Sequence, residues 1–252
     1  MNLNNVTTIE QIIDRLDDII EYSEINNSTF GYFAVLYRKV TIKVKEGIEN
    51  HFFDNNERME ELDVIFAKRY LEAYYNYQDQ KKVSASWEKA FSINTDYWPI
   101  VLQHLLVGMN AHINLDLGIA AAEVSKNHPI ENLKNDFNKI NEILSSLVNE
   151  VQNDLANIWP TLKYILQKTK KVDDFLVDFS MELARDGAWK FATTLANQAI
   201  SEQEKLISQR DEDVAKKAKI ITNPGFIANI ILAIIRIGER GSVSKKINAL
   251  KA

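Results

Sequence analysis

The stretch HLLVGMNAHINLD, from His104 to Asp116, decides how this chain is expected to fold. Its flanks are apolar as well, so we predict a helix over about residues 98–125 that is apolar almost all round. Such a helix needs neighbours on every side, which puts it at the centre of a helical protein. Each helical residue advances about 100°, so His104, His112 and Asp116 lie on one ridge of this predicted central helix.

The rest of the chain favours an all-α fold. Eight glycines and four prolines in 252 residues are too few turn residues for a β-rich protein, and no linker rich in glycine and serine divides the sequence. We predict a single globular bundle of about eight to ten helices over residues 1–252. Its N-terminal helices (residues 1–48) are expected to pack on the rest of the domain, and C-terminal helices follow at residues 224–252. The sequence leaves the penultimate helix open as an internal helix, a dimer interface or a helix on a membrane surface.

Local signals separate the predicted helices. Thr7 to Glu10 resembles a capping box before the first helix, and Pro160 is expected to break a long helix that starts near residue 129. Tyr37 to Val44 (YRKVTIKV) alternates like a strand but is assigned to a helix. The predicted helices cover about residues 10–23, 28–47, 58–78, 84–91, 98–125, 129–159, 172–209 and 225–240, with a short helix at the C-terminus.

Composition excludes several classes of function. Without cysteine the chain has no disulfide, thiolate metal site or cysteine nucleophile. The net charge of −5 is mild, so we expect no nucleic-acid partner. No phosphate-binding glycine loop, GxSxG or HExxH motif is present.

The N-terminus and the longest apolar run indicate where the protein acts. The first residues do not combine a basic start with an apolar run, so we expect a cytoplasmic protein. The longest apolar run, residues 226–237, is shorter than the roughly 20 residues that span a bilayer, so no transmembrane segment is expected. This apolar C-terminal helix is instead a candidate surface for homo-oligomerisation.

Three side chains near the central ridge suggest a metal site. His112 and Asp116 have the i,i+4 spacing of two ligands on one helix. Asp63 lies at the centre of an apolar, aromatic helix face and needs a partner. His104 lies about 12 Å along the axis from His112 at 1.5 Å per residue, so it would serve a second ion or act on a water. The alternative is a set of core side chains that satisfy one another by hydrogen bonds.

The candidate catalytic residues are His104, Asp63 and Arg185. Arg185 lies one helical turn before Trp189 in ARDGAW, where the two could hold an anion or a flat ligand. The alternative is an arginine packed over a partly buried indole. The proposed metal ligands are His112, Asp116, Asp63 and His104, and zinc, manganese or iron is the expected ion.

Several stretches resemble one family. Residues 103–120 (QHLLVGMNAHINLDLGIA) resemble the signature of a bacterial family of unknown function, DUF 5995. The resemblance extends to residues 62–74 (LDVIFAKRYLEAY), 86–91 (SWEKAF) and 184–189 (ARDGAW), and covers about residues 50–195. The family has no assigned activity, so the resemblance supports the choice of residues without naming a reaction.

A weaker similarity is to the all-helical zinc phospholipase C and P1 nuclease group. Those proteins bind metal through an Asp, a His and an HxxxD on helices, which Asp63, His104, His112 and Asp116 match in order. The chain lacks the group's N-terminal tryptophan ligand and its later HxxxE, so the similarity implies one or two ions at most.

These observations lead to one expected function with two alternatives. We expect a metal-dependent hydrolase of a phosphate or other ester, in which Asp63, His112 and Asp116 hold the ion and His104 positions or activates a water. The first alternative is a non-catalytic helical protein that binds a small molecule and whose polar cluster is structural. The second is a metal-free enzyme with Asp63 and His104 as acid and base.

Overall fold

The computed structural model describes residues 3–159 and 181–251, and in these ranges the chain is helical without a strand. Eleven α-helices form in these ranges, which confirms the all-α prediction and slightly exceeds the predicted eight to ten helices. They are α1 Ile9–Asn26, α2 Phe30–Glu49, α3 Asn56–Gln78, α4 Ala85–Ser92, α5 Val101–Ala111, α6 Leu117–Val124, α7 Lys134–Ile158, α8 Met181–Ala196, α9 Ile200–Thr222, α10 Phe226–Gly238 and α11 Val243–Lys251.

Polar side chains begin several of these helices. The Thr8 hydroxyl accepts a hydrogen bond from the Gln11 N–H at 3.4 Å, and the Gln11 side chain accepts from the Thr8 N–H at 3.2 Å. This is a capping box, and it lies one residue later than the predicted pair of Thr7 and Glu10. Asn55 caps α3, accepting from the Arg58 N–H at 2.9 Å, because its side chain can reach the free N–H groups of the first turn.

The predicted central helix is confirmed as one apolar run of α5, a π-helical turn at His112–Asp116, and α6. It is surrounded by α2, α3, α4, α8 and α9. Val101–Val124 is also the one continuous helix of the described residues that is long and apolar enough to cross a membrane, with a mean hydropathy of 1.3. Within the protein, 83% of that window is buried, so its apolar surface is used in packing.

Several boundaries differ from the prediction; in particular, α9 continues to Thr222, well past the predicted end near residue 209. The central helix begins at Val101 and not at Trp98, which is exposed. A 3₁₀ turn, Ile130–Leu133, precedes α7 after Pro129. The predicted helix over residues 172–209 is interrupted between α8 and α9 at residues 197–199. The start of that helix and the break at Pro160 lie outside the described residues.

The C-terminal helices pack on the N-terminal ones. Helix α11 contacts α1, α2 and α7, and Ile247 in α11 is fully buried. In α10, the side chains of Ala228, Leu232 and Ile235 are buried. Helices α9 and α10 meet at an angle of 65°. The segment from Tyr37 to Val44 lies within α2, as predicted.

Candidate functional site

The π-helical turn in the central helix frees backbone groups that α9 binds. The Leu117 N–H donates to the His112 carbonyl, five residues back, instead of the usual four. The Asn114 carbonyl accepts from Nε of Arg210 at 2.8 Å. Nearby, Nδ2 of Asn110 donates to the Val214 carbonyl at 2.9 Å. Helix α9 therefore holds the irregular turn in place.

Asp116, at the end of this turn, is fully buried and accepts hydrogen bonds from two other helices. Its Oδ1 accepts from Nε of Arg69 in α3 at 2.9 Å, and its Oδ2 accepts from Nε1 of Trp87 in α4 at 2.8 Å. Burial alone would raise the pKa of Asp116. The guanidinium of Arg69 and the hydrogen bonds from His112 and Trp87 outweigh burial and lower that pKa. Asp116 is therefore an ionised carboxylate.

His112 pairs with Asp116, as the i,i+4 spacing predicted. Its Nδ1 lies 3.3 Å from Oδ2 of Asp116. Burial lowers the pKa of His112 more than Asp116 raises it, so the imidazole is neutral at pH 7. An ionised carboxylate only accepts hydrogen bonds, so the single proton of the neutral ring lies on Nδ1. Nε2 then carries a free lone pair, and it is buried without a hydrogen-bond partner among the described residues.

Aromatic rings enclose the imidazole of His112. The ring of Phe66 stacks on it, with centroids 3.6 Å apart and planes 7° from parallel. The ring of Tyr37 meets it edge-on at 4.5 Å, and the rings of Tyr70 and Trp87 lie at 6.1 and 6.0 Å. The lone pair of Nε2 therefore lies in a mainly apolar environment, where an unpaired polar atom is costly.

Two further polar atoms, one on Tyr37 beside His112 and one on Asp63, whose charge acts on Tyr37, lack a hydrogen-bond partner in the described ranges. They are the Tyr37 hydroxyl and Oδ2 of Asp63, both buried. Burial, together with the charges of Asp63 and Asp116, raises the pKa of Tyr37 well above its usual range. Burial and the charge of Glu60 raise the pKa of Asp63 to about 7. We call Tyr37, Asp63, His112 and Asp116 the His112 cluster.

The surroundings of His104 differ only in part from those of His112. Its ring meets Tyr32 edge-on at 5.5 Å, and burial and the charges of Arg236 and Lys246 lower the pKa of His104 to about 3. It also lines a small aromatic cleft between α2, α4 and α5 with Asn94. Phe33, Tyr70 and Trp87 line this cleft and also lie around His112. The two histidines of the predicted ridge therefore share these aromatic neighbours.

The residues suggested as metal ligands do not form one group. Among residues 3–159 and 181–251, no three His, Asp or Glu side chains converge as a cation site would require. Both oxygens of Asp116 already accept hydrogen bonds. Nε2 of His112 and Oδ2 of Asp63 are the two potential ligand atoms of the cluster that no hydrogen bond occupies. A catalytic zinc site usually has three protein ligands, so this donor set is one short.

Arg185 lies outside the His112 cluster. It is buried, donates from Nε to Oδ1 of Asn141 at 2.5 Å and from Nη2 to the Phe137 carbonyl, and its guanidinium lies 4.4 Å from the Phe137 ring centroid. Burial lowers the pKa of Arg185 to about 9. The indole of Trp189 instead packs under the ammonium of Lys134, at 4.5 Å. Arg185 thus packs over a phenyl ring, where an indole was expected.

Sequence reasoning missed three members or supports of the site: Tyr37, Arg69 and Trp87. Arg69 and Trp87 lie within the family-like stretches 62–74 and 86–91, which was a usable signal. Tyr37 lies in the strand-like segment of α2 and had no local signal. Its role arises only because α2 packs beside α3 and α5.

Comparison with known proteins identifies a family and no characterised relative. The model of a family described as "Family of unknown function (DUF5995)" matches residues 9–224. This range contains the whole His112 cluster. No curated protein and no solved structure matches the chain. The similarity to the zinc phospholipase C and P1 nuclease group therefore stays a prediction.

Proposed function

Because the chain belongs to the family of unknown function DUF5995, its activity must be inferred from its own residues, and we propose that it hydrolyses a small neutral ester by metal-free acid–base catalysis. The observation that carries the proposal is the unpaired lone pair on Nε2 of His112. Asp116 holds the proton on the opposite nitrogen. A neutral imidazole oriented in this way is a general base.

The chemistry needs a water and an ester carbonyl at the His112 cluster. Nε2 of His112 takes a proton from the water while the water oxygen bonds to the carbonyl carbon. Asp116 stabilises the imidazolium that forms. The Tyr37 hydroxyl and protonated Asp63 supply hydrogen-bond donors for the negative carbonyl oxygen. Collapse of this intermediate breaks the bond to the alkoxide, which leaves with the proton held by His112.

The charge of the site favours a carboxylic ester over a phosphate ester. The cation beside the cluster, Arg69, donates its Nε to Asp116. Phe66, Tyr70 and Trp87 supply an apolar, aromatic environment around His112. A phosphate dianion would lose its hydration there without gaining a free cation. A small neutral ester carries no such penalty.

We infer that the side chain of Phe66 controls access to the His112 cluster. Its ring covers one face of His112, and its side chain is only partly buried. Rotation of Phe66 away from the imidazole would expose the ring of His112 to a small molecule. Side chains at partly exposed positions change rotamer on the nanosecond timescale or faster.

The direct test measures hydrolysis of 4-nitrophenyl acetate, with 4-nitrophenyl phosphate as the charged counterpart. We expect activity on the acetate alone, and His112→Gln should lower kcat/KM about 100-fold or more, the usual contribution of a general base. His128→Gln is the control, because His128 is exposed and should leave kcat/KM unchanged. Wild-type protein without activity on the acetate, or a His112→Gln variant as active as the control, would overturn the proposal.

Two further arms separate this mechanism from the other functions expected from the sequence. Activity retained in EDTA supports the metal-free mechanism. Activity that EDTA abolishes and zinc, manganese or iron restores would replace it with a metal-dependent hydrolase, using Nε2 of His112 and Oδ2 of Asp63 as the free donors. His104→Gln tests the earlier assignment of His104 as the base, and a loss equal to that of His112→Gln would favour that assignment.

A further inference from the structure

Bulky apolar side chains form an exposed face on α10. Five of them are between 48% and 81% exposed: Phe226, Ile227, Ile230, Ile234 and Ile237. On a helix they fall within an arc of about 100°. The opposite side of α10, with Leu232 and Ile235, is buried in the protein. We call this exposed arc the α10 apolar face.

Two exposed aromatic rings lie beside α10. Tyr97 and Trp98 are 63% and 59% exposed, and their ring centroids are 5.3 Å apart. Arg236 of α10 joins them to the helix. Its Nε donates to the Tyr97 carbonyl at 2.5 Å, and its guanidinium carbon lies 4.5 Å from the Tyr97 ring centroid. Tyrosine and tryptophan are the side chains enriched at the headgroup level of membranes.

The part of the chain around α10 has more basic than acidic residues, although the whole protein is acidic. Two of its lysines pair with acids outside it, Lys216 with Asp213 and Lys251 with Glu24. Residues 216–251 contain eight lysines and arginines against one acidic residue, Glu239, whereas the full chain has 30 basic and 35 acidic residues. Glu239 is buried and paired with Lys246. Lys219 precedes α10, Arg240 follows it, and both are exposed. The net charge of the chain hides this local excess.

From this combination we propose that the α10 apolar face binds the surface of an anionic lipid membrane. The isoleucines and Phe226 enter the boundary between headgroups and acyl chains. Tyr97 and Trp98 lie at headgroup level, and the lysines and arginines attract the anionic headgroups. The helix lies in the plane of the surface, since its thirteen residues are too few to span a bilayer.

The same charges disfavour a second copy of the chain as the occupant. In a two-fold symmetric dimer the same patch meets itself. Two α10 faces in contact would bring Arg240 and Lys219 of each copy near the identical basic residues of the other. Like charges across an interface are repulsive. An anionic lipid surface neutralises them instead.

The test uses the full chain and vesicles of phosphatidylcholine with or without one quarter phosphatidylglycerol. In a flotation assay we expect the protein to bind the anionic vesicles at low salt and to be released by 0.5 M NaCl. It should not bind vesicles of pure phosphatidylcholine. The double variant Ile230→Ser/Ile234→Ser should weaken binding at least tenfold, because it removes two apolar side chains that enter the membrane when the protein binds. The double variant Lys219→Gln/Arg240→Gln should weaken vesicle binding about tenfold. This loss would show that charge contributes to binding beside the apolar side chains.

The matched control is Ile25→Ser/Ile200→Ser. Those isoleucines are 71% and 79% exposed but lie on α1 and at the start of α9, so vesicle binding should be unchanged. A blue shift of tryptophan fluorescence on binding, lost in Trp98→Phe, would place Trp98 at the lipid. Equal binding by the two isoleucine variants, equal binding to neutral vesicles, or a dimer that Ile230→Ser/Ile234→Ser converts to monomer would overturn the proposal.

Discussion

At His112, one hydrogen bond decides what the imidazole can do. Because Asp116 is ionised and accepts a hydrogen bond from the protonated Nδ1, the other nitrogen remains a base. Arg69 and Trp87 hold that carboxylate. Removing either donor would leave a buried charge with fewer partners. The base at Nε2 thus depends on residues from three helices.

Asp63 gives a residue-scale prediction about stability. Its folded pKa of about 7 exceeds the usual value of about 3.9, so between these values the folded protein holds a proton that the unfolded chain has lost. Stability contributed by Asp63 therefore falls as pH rises through this window. Asp63→Asn removes the charge and should be more stable than wild type at pH 8 by about 2–4 kcal/mol.

Denaturant unfolding at pH 5 and pH 8 measures this difference. The gain from Asp63→Asn should grow between the two pH values, because asparagine does not titrate. Glu60 supplies part of the cause, so Glu60→Gln should reduce the growth. A gain that is the same at both pH values would contradict a raised pKa for Asp63.

The central helix packs closely against α8 at Gly118 of α6. Gly118 in α6 faces α8, where a Cβ atom would lie 2.9 Å from the Ala188 carbonyl oxygen and 2.7 Å from the Phe191 ring. A backbone oxygen cannot move without its helix. The absence of a side chain at Gly118 therefore lets α6 and α8 pack closely just after the π-helical turn.

Gly118→Ala is expected to destabilise the protein by about 1–3 kcal/mol, because the added methyl group forces α8 outward. Gly187→Ala, on α8, is the matched control. Its Cβ would meet only the end of the Arg210 side chain, at 3.3 Å. Alanine favours a helix over glycine, so this variant should be neutral or up to about 1 kcal/mol more stable. Thermal or denaturant unfolding distinguishes the two, and equal losses would argue against the close packing.

For the whole molecule, Glu239 connects distant parts of the chain. Its carboxylate accepts from the Val101 N–H at 3.0 Å, at the start of the central helix, and from Nζ of Lys246 in α11 at 3.1 Å. Glu239 and Lys246 are both buried. These contacts join residues beyond the matched range of 9–224 to the start of the central helix, and the single domain stays a prediction that unfolding can test.

Glu239→Ala should lower the stability of the protein by about 3 kcal/mol, because it leaves the Lys246 ammonium buried without its carboxylate. Adding Lys246→Met should recover part of that loss. Thermal unfolding followed by far-UV circular dichroism and by tryptophan fluorescence should show one transition that shifts as a unit. Two transitions, of which only one moves, would indicate two domains.

Much of the fold was predictable because it depends on local patterns. The period of apolar residues identified the helices, and the apolar run from 101 to 124 identified the central one. The i,i+4 pairing of His112 and Asp116 was predictable for the same reason. The interruption between α8 and α9 was not predicted, since no proline or glycine marks residues 197–199.

Spacing predicted the distance between the two ridge histidines along the helix axis, but it could not predict which side chains face each of them. His104 and His112 share one ridge of the helix, yet Tyr32 faces one and Phe66 faces the other. Which residue faces a ridge depends on how neighbouring helices cross it. Crossing angles and axial offsets come from the packing of whole surfaces, and these are not local in sequence.

The sequence by itself determined the helical class, the buried central helix and the His112–Asp116 pair, because helical period and i,i+4 spacing act within one turn or a few. Only the tertiary structure decided that Arg69 and Trp87 occupy the oxygens of Asp116, that Tyr37 and Asp63 share its environment, and that one side of α10 faces outward. Those outcomes depend on contacts between residues far apart in the chain, where burial and charge act through space.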